Sequence, residues 1–248
     1  MLAALVILAG PFVGSFLGVL ADRLPEGRDV IAARSRCDGC GGLLRPREMV
    51  PLLSFLLQRG RCLRCGARIP RHLPATEGLA ALAGCAAAGL AQGQVAMVMA
   101  AGWLWALVAL GVTDWRHRRL PDPLTAALAG LGAGLGLAQG AAPEHVALSA
   151  LAGAGAFWAI RLGYRALRGR EGLGAGDVKL MAGIGAATPL WALPHVTLVA
   201  ALAALAAVAL HPGLRAAARA QGGGAALPFG TFLCLGGALV WAGLNLLA

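Results

Sequence analysis

Long apolar segments alternate with short polar segments along most of the chain. A helix needs about 20 apolar residues to cross the roughly 30 Å hydrocarbon core of a bilayer. Eight segments approach this length, and the pattern predicts about eight transmembrane helices, over residues 2–20, 79–93, 95–112, 124–139, 146–164, 178–191, 193–210 and 229–247. The second, fourth and sixth segments are shorter than a full span, so the pattern defines their ends less well.

The composition excludes a soluble globular protein. Hydrophobic residues make up 58% of the 248 residues and charged residues only 13%, and the mean hydropathy is +0.73. The 37 glycines favour close packing of helices, because small residues let two backbones approach each other within a membrane. We therefore expect an all-α polytopic membrane protein surrounded by lipid.

The basic residues fall in alternate loops. Of the 21 Lys and Arg residues, eleven lie in 22–74, three in 114–123, five in 161–179, and two are Arg215 and Arg219. The intervening loops and both terminal tails contain none. Because Lys and Arg of short loops are retained on the cytoplasmic side, this distribution predicts four cytoplasmic loops and two periplasmic termini.

The net charge of +10 follows from this topology and from attraction to anionic lipid headgroups. Nucleic acid is therefore not expected as a partner. The first apolar segment could be mistaken for a signal peptide, but no basic residue precedes it and positive charges follow it. We expect it to be retained as a first transmembrane helix, residues 1–21.

Four of the six cysteines lie in the one sizeable polar segment, residues 22–77. They form two Cys-x-x-Cys pairs with 21 residues between them: Cys37, Cys40, Cys62 and Cys65. This spacing is typical of a zinc ribbon, in which four thiolates close the shell of a structural ion. Disulfides or free thiols are the alternatives, and the cytoplasmic location disfavours disulfides. The segment is predicted to be a small zinc-ribbon-like domain that metal binding helps to fold.

Two aspartates are the candidates for chemistry. Asp114 ends the third apolar segment, and Asp177 begins the sixth after alternating glycines. The predicted topology puts both on the cytoplasmic side, so both carboxylates are expected near the same membrane face. Two facing carboxylates can share a proton, because both cannot ionise cheaply at close range. Such a pair can activate a water and polarise a carbonyl, which hydrolyses a peptide bond without a metal.

Each aspartate also has an alternative reading. Asp177 follows glycines and could simply cap a helix. Asp114 could be an interfacial counter-charge for three arginines that follow it, Arg116, Arg118 and Arg119. Glu77, at the head of the second apolar segment, is interpreted as a helix-start charge.

The neighbours of Asp177 are expected to support the substrate or the backbone. Gly174 and Gly176 would let the chain approach a substrate or a neighbouring helix closely, and Lys179 lies two residues beyond the carboxylate. Residues 222–224 are three glycines, and we interpret them as a flexible linker.

The order and spacing of several short motifs resemble the type IV prepilin peptidases. The resemblance runs nearly end to end and comprises the segments 12–17, 23–25, Arg34-Ser-x-Cys37-x-x-Cys40, 51–54, Arg59-Gly-Arg-Cys62-x-x-Cys65, Asp114 with 120–122, 169–180 and 228–230. It implies an intramembrane aspartic peptidase of the Gly-x-Gly-Asp type in the bacterial inner membrane. Asp114 and Asp177 would be its catalytic pair, Asp122 would have a supporting role, and residues 78–248 would form the peptidase core of about seven helices.

The resemblance also implies substrates and a second activity. Prepilins or pseudopilins of type IV pili and type II secretion would be cut on the cytoplasmic side, after a glycine that ends a short leader, with no cofactor for proteolysis. The new amino group would then be methylated with S-adenosylmethionine. The first motif of the family usually continues with Asn where this chain has Gly18, a departure that bears on the methylation step.

Two other classes of function, a transporter and a non-catalytic assembly factor, make different predictions from a peptidase. A transporter can use intramembrane carboxylates in a proton relay, but it predicts acidic groups near the middle of the spans and repeated halves. A non-catalytic assembly factor would use the cysteine segment for docking and would not require both aspartates.

Overall fold

The computed structural model describes residues 1–30, 35–219 and 227–247, so Arg34 and the predicted linker 222–224 lie outside the described residues. Over the described residues the chain forms ten α-helices and two isolated β-bridges. The helices are α1 (Leu2–Arg23), α2 (Leu53–Leu57), α3 (His72–Leu90), α4 (Gln94–His117), α5 (Asp122–Ala138), α6 (Pro143–Arg168), α7 (Ala175–Ala187), α8 (Leu193–Leu210), α9 (Pro212–Arg219) and α10 (Phe229–Leu246).

All eight predicted apolar segments are helical, which confirms the prediction of an all-α multi-pass membrane protein. Within the described part of the chain, 6 helices are long and apolar enough to cross a membrane, namely α1, α3, α4, α6, α8 and α10. The other two are shorter, with 17 residues in α5 and 13 in α7. They correspond to the predicted fourth and sixth segments, whose apolar runs were already short.

The helix that contains the second predicted apolar segment starts earlier than the apolar pattern predicts. α3 begins at His72 rather than at residue 79. Its first turns contain Pro74, which is tolerated there because its missing N–H would have been unpaired, and Glu77, which is 8% exposed. These turns therefore belong to the helix although they are not apolar, and they face the rest of the protein.

Glycines allow α1 to pack closely along α3, as the composition predicts. A Cβ at Gly14 would lie 2.6 Å from the Cα of Glu77, and one at Gly10 would lie 2.8 Å from the carbonyl oxygen of Ala80. Neither position has room for a side chain. The two backbones are thus in direct contact in this part of the bundle.

The centre of the bundle lies between α4 and α7. α5 and α10 pack against both of these helices, and the indole Nε1 of Trp103 on α4 donates a hydrogen bond to the carbonyl of Gly183 on α7, at 3.2 Å. Fully buried apolar side chains fill the space between the helices: Leu107, Leu110, Leu128, Leu180, Ile184 and Leu233. This packing brings together the end of α4 and the starts of α5, α7 and α10.

Candidate functional site

A cavity of about 510 Å³ opens where these helix ends meet. Its walls come from the turn after α1, the end of α4, the α4–α5 loop and the start of α7, and they comprise Leu24, Pro25, Asp114, Arg118, Arg119, Leu120, Pro121, Asp122, Gly174, Ala175, Gly176 and Asp177. The two aspartates that the sequence pairs therefore line one cavity. We call it the aspartate cavity.

Asp114 lies in the last turn of α4 and is 6% exposed. Its Oδ2 accepts a hydrogen bond from the backbone N–H of Thr231 at 2.8 Å. The Thr231 hydroxyl oxygen is 3.2 Å from the same Oδ2 and 2.9 Å from the carbonyl of Gly111. Among the described residues, the hydrogen bonds to the carboxylate of Asp114 all go to Oδ2.

Asp114 is not the counter-charge of Arg116. The Nε of Arg116 lies 2.6 Å from Oδ1 of Asp22, and one of its NH groups lies 2.9 Å from Nδ1 of His72. His72 in turn contacts the other oxygen of Asp22 through Nε2, at 2.9 Å. This network joins the ends of α1, α3 and α4, and the sequence did not predict it.

Asp177 is the third residue of α7 and is 8% exposed. Its Oδ2 accepts a hydrogen bond from the backbone N–H of Gly174, at 3.3 Å. The helix-cap contact that the sequence raised as an alternative is therefore present. It involves one carboxylate oxygen only, so capping does not exclude a role in the cavity.

An added side chain would be tight at Gly174 and would collide at Gly176. A Cβ at Gly174 would be 3.2 Å from Oδ2 of Asp177, and one at Gly176 would be 2.9 Å from the Cβ of Leu120. The close approach expected for these glycines is made to the carboxylate itself and to the α4–α5 loop.

Asp122 and Lys179 meet at the rim of the cavity. Oδ1 of Asp122, the first residue of α5, lies 2.6 Å from Nζ of Lys179 on α7. Their side chains are 75% and 50% exposed. The pair joins the starts of two helices that flank the aspartates, and it is solvated, unlike Asp114 and Asp177.

The four cysteines of the polar segment form a cluster away from the aspartates. Their Sγ atoms all lie within 4.8 Å of one another. Sulfurs bound at about 2.3 Å to one tetrahedral zinc ion would be roughly 3.8 Å apart, and the Sγ atoms of Cys37 and Cys65 are separated by 3.8 Å. The donor set and its spacing therefore fit a structural zinc ion.

Each Cys-x-x-Cys pair sits in a tight turn closed by an antiparallel bridge, Arg36 with Leu43 and Arg61 with Arg68. Gly41 and Gly66 follow the second cysteine of each pair with φ of 67° and 71°, a conformation that favours glycine. Backbone N–H groups of Arg64 and Cys65 lower the pKa of the Cys62 thiol to about 7, while desolvation and the neighbouring thiols raise the pKa of Cys65 to about 11. The thiolate, which is the form that binds metal, is therefore favoured at Cys62.

A second cavity, of about 470 Å³, lies between α1, the cysteine segment and the start of α3. Four carboxylates line it, Asp22, Asp38, Glu48 and Glu77, together with four arginines, Arg23, Arg28, Arg36 and Arg68. Oε2 of Glu77 accepts a hydrogen bond from the backbone N–H of Leu52, at 2.7 Å. Glu77 is therefore not a helix-start charge, because α3 begins five residues before it and its carboxylate holds the cysteine segment.

Gly18, the departure from the family pattern, is buried on α1. A Cβ there would lie 2.9 Å from Cδ2 of Leu73 on α3. A larger residue at position 18 would have to displace the side chain of Leu73. The glycine therefore allows α1 to pack closely on α3 at this point.

The structure thus groups the predicted site residues into two places. Asp114, Asp177, Gly174, Gly176 and Asp122 line the aspartate cavity, and Lys179 reaches it through Asp122. The cysteines lie at the second cavity, where Cys37 and Cys62 form part of the lining. Two residues with contacts in these sites were not singled out from the sequence, Thr231 and Asp22, and Leu120 was noted only as part of the motif 120–122. A signal existed for Thr231, which directly follows the motif 228–230.

Both aspartates lie at helix ends rather than near the middle of a span. Asp114 is in the last turn of α4 and Asp177 in the first turn of α7. A proton-relay transporter predicts the opposite placement.

Comparison with known proteins gives two adjacent family matches. Residues 8–90 match the bacterial peptidase A24 N-terminal domain, and residues 101–209 match the type IV leader peptidase family. The chain is 35% identical to the prepilin leader peptidase/N-methyltransferase of Burkholderia pseudomallei strain 1026b, over 95% of this chain and 83% of that protein. It is 34% identical to the protein of that name from Dickeya chrysanthemi, over 94% of this chain and 90% of the relative. No solved structure is significantly similar to the chain.

Proposed function

The chain belongs to the type IV leader peptidase family, and we propose that it cleaves prepilins or pseudopilins in the aspartate cavity, with Asp114 and Asp177 as the catalytic pair. The observation that supports this best is that two buried carboxylates, 63 positions apart in the sequence, line the same cavity. Charge burial is costly, so two such groups at one site need a functional reason. Relatives over most of the chain carry the name prepilin leader peptidase/N-methyltransferase.

The chemistry follows from the pair. Two carboxylates in one desolvated cavity share a proton. The ionised one takes a proton from a water molecule, whose oxygen bonds to the scissile carbonyl carbon, while the protonated one gives its proton to the carbonyl oxygen. The C–N bond then breaks as the leaving nitrogen takes the proton held by the first carboxylate, while one hydroxyl of the tetrahedral intermediate returns its proton to the second carboxylate and becomes the carbonyl of the product acid. The titration belongs to the pair, and neither aspartate is assigned one fixed role.

The backbone around the pair has a clear part in this scheme. Thr231 holds Oδ2 of Asp114, and Gly174 holds Oδ2 of Asp177, so each carboxylate is oriented by one oxygen. The missing side chains at Gly174 and Gly176 let Asp177 and Leu120 pack closely against the start of α7. Asp122 and Lys179 support the rim.

We place the aspartate cavity on the cytoplasmic face of the bacterial inner membrane and both termini in the periplasm. The alternation of basic and uncharged loops supports this orientation. In the same scheme residues 1–21 are the first transmembrane helix, 22–77 the zinc-binding segment and 78–248 the peptidase core.

The cysteine cluster is proposed to hold a structural zinc ion. Zinc would cross-link the two turns of a segment that has little apolar core of its own. Four thiolates complete the shell of the ion, so this site is not expected to take part in the hydrolysis.

A second activity, methylation of the new amino terminus with S-adenosylmethionine, is assigned to the second cavity. S-adenosylmethionine supplies a methyl group on a cationic sulfonium. The lining of the second cavity is mixed, with four carboxylates and four arginines, which suits a cofactor that carries both cationic groups and a carboxylate. Leu24 and Pro25 line the aspartate cavity while Asp22 and Arg23 line the second one. One short segment thus separates the two cavities, which gives a cleaved substrate a short path to the second.

Co-expression of the chain with a prepilin, followed by mass spectrometry of the pilin amino terminus, tests the proposal. Loss of the leader is expected with the wild-type chain and not with Asp114→Asn. A gain of one methyl group on the mature product tests the second activity separately. An intact leader after co-expression with wild-type protein, present in the membrane at normal level, would overturn the assignment as a peptidase.

A further inference from the structure

Leu120 lines the aspartate cavity and lies between Gly176 on α7 and Gly230 on α10. α4 ends at His117, and Arg118 then adopts a left-handed conformation with φ of 51°, so the chain turns back within four residues into α5. Leu120 lies in this loop, lines the cavity and packs against the apolar core of the bundle. Its side chain therefore lies at the site although it has no reactive group.

One methyl group of Leu120 stands in front of two glycines. Its Cδ1 would be 3.0 Å from a Cβ at Gly176 and 3.0 Å from a Cβ at Gly230. Gly176 precedes Asp177, and Gly230 precedes Thr231, which binds Asp114. A Cβ at Gly230 would also be 3.1 Å from Cγ of Asp114. Leu120 thus lies next to the start of α7, where Gly176 precedes Asp177, and next to the start of α10, where Gly230 precedes Thr231.

Leu120 can lie this near to both helices because both glycines lack a Cβ, which would be closer to Leu120 than side-chain carbons normally approach. Interiors pack without voids, so a side chain wedged between two backbones fixes their spacing. Removing atoms from such a wedge lets the walls move inward only in part and leaves the rest as a cavity. The spacing of the starts of α7 and α10 therefore depends on the size of residue 120.

We propose that Leu120 is a positioning residue that sets the separation of Asp114 and Asp177 by acting as a spacer between Gly176 and Gly230. The proposal rests on the assignment of these aspartates as the catalytic pair. Misplacement of reacting groups by about 1 Å can cost roughly 100-fold in rate. A spacer of this kind affects the chemical step more than it affects substrate binding.

The first test is steady-state cleavage of a prepilin by the purified full-length chain. Leu120→Ala is expected to lower kcat about 10- to 100-fold with a change in KM below about threefold, and Leu120→Met, which conserves volume, is expected to retain activity within roughly threefold. Leu131→Ala is the matched control. Leu131 makes the same kind of contact, with Cδ2 at 3.0 Å from a Cβ at Gly102, but it does not line the cavity, and its replacement should leave kcat within about twofold.

The pH dependence of kcat separates positioning from a loss of folded protein. Loss of the spacer lets the two carboxylates move closer together, and their stronger coupling should move the alkaline limb of the bell-shaped profile to higher pH in Leu120→Ala, since proximity is what holds the shared proton. The other charged groups lining the cavity are Arg118, Arg119 and Asp122. Lys179 pairs with Asp122, α10 has no charged residue, and its Cys234 is the remaining titratable group nearby. An unchanged profile with a lower amplitude would contradict positioning.

A double-mutant cycle tests the contact directly. Gly176→Ala introduces the Cβ that would lie 2.9 Å from Cβ of Leu120, and it should lower kcat strongly in the wild-type chain. In a Leu120→Gly background, where both colliding atoms are gone, the same change should cost at least about tenfold less, which is the coupling expected of contacting residues. Gly174→Ala, whose Cβ would instead meet Asp177, should not be relieved by Leu120→Gly.

The proposal that Leu120 is a spacer would be overturned by either of two results. One is additive effects of Gly176→Ala and Leu120→Gly, and the other is a wild-type kcat in Leu120→Ala. Both outcomes require that the wild-type chain cleaves prepilin. Absence of cleavage by the wild-type chain would instead overturn the proposed function, so the two failures are distinguishable.

Discussion

The aspartate cavity and the cysteine cluster are built in opposite ways. Asp114, Asp177 and Thr231 come from three helices and are brought together by packing in the middle of the bundle, where both carboxylates are nearly fully buried. The cysteines come from two short turns, are exposed or half-exposed, and each pair is shaped by local hydrogen bonds and a positive-φ glycine.

This difference determines how each site should fail. The geometry of the aspartate cavity depends on helices that pack whether or not a ligand is bound. The cysteine turns bury little apolar surface, so their mutual arrangement is expected to depend on an ion. Changes at one site should therefore leave the other largely intact.

The largest effect is expected at the aspartates. Asp114→Asn or Asp177→Asn removes the group that takes or gives a proton, so each should lower prepilin cleavage by about 1,000-fold, while the zinc content and the level of inserted protein stay unchanged. Cleavage by gel shift and metal analysis of the same preparation check both parts. Full cleavage by either variant would exclude the pair.

The next largest effect is expected at the metal. Wild-type protein should contain about one zinc ion per chain, and Cys37→Ser/Cys62→Ser should contain none. Methylation of the product should fall more than cleavage, because the cysteine segment lines the second cavity and not the aspartate cavity. Cys85→Ser, at an exposed cysteine outside the cluster, is the control and should retain zinc. Wild-type protein free of zinc would refute the site.

A smaller effect is expected at Thr231. Thr231→Val removes the hydroxyl 3.2 Å from Asp114 but leaves the backbone hydrogen bond, so cleavage should fall by about 3- to 10-fold. Thr231→Ser should restore most of it. Thr197→Val is the matched control, since that hydroxyl bonds to a carbonyl on α8. Unchanged kcat in Thr231→Val would show that the hydroxyl does not orient Asp114.

The smallest effect is expected at the rim. Asp122→Asn weakens an exposed ion pair with Lys179, and such pairs contribute about 0–1 kcal/mol, so cleavage should fall by no more than roughly fivefold. Lys179→Met should behave alike, and the two changes together should be no worse than either alone. If Asp122→Asn lowered cleavage as much as Asp114→Asn does, Asp122 would belong to the catalytic residues instead.

The bounds of a helix were predictable where its apolar sequence alone determines them. The predicted segment 193–210 coincides with α8, because uninterrupted apolar sequence next to lipid has no alternative but a helix. The start of α3 was not predictable in this way. His72 and Glu77 are polar, and they lie in the helix because the protein, rather than lipid, surrounds those turns through Asp22 and Leu52.

The sequence by itself determined the class of protein, the pairing of Asp114 with Asp177 as candidates and the four-cysteine set, because hydropathy, basic-loop alternation and Cys-x-x-Cys spacing are local signals. Only the tertiary structure decided that both aspartates line one cavity, that Thr231 rather than Arg116 faces Asp114, and that Leu120 separates Gly176 from Gly230. Those contacts join residues 50 or more positions apart, and which of them meet depends on how whole helices pack, which no local signal records.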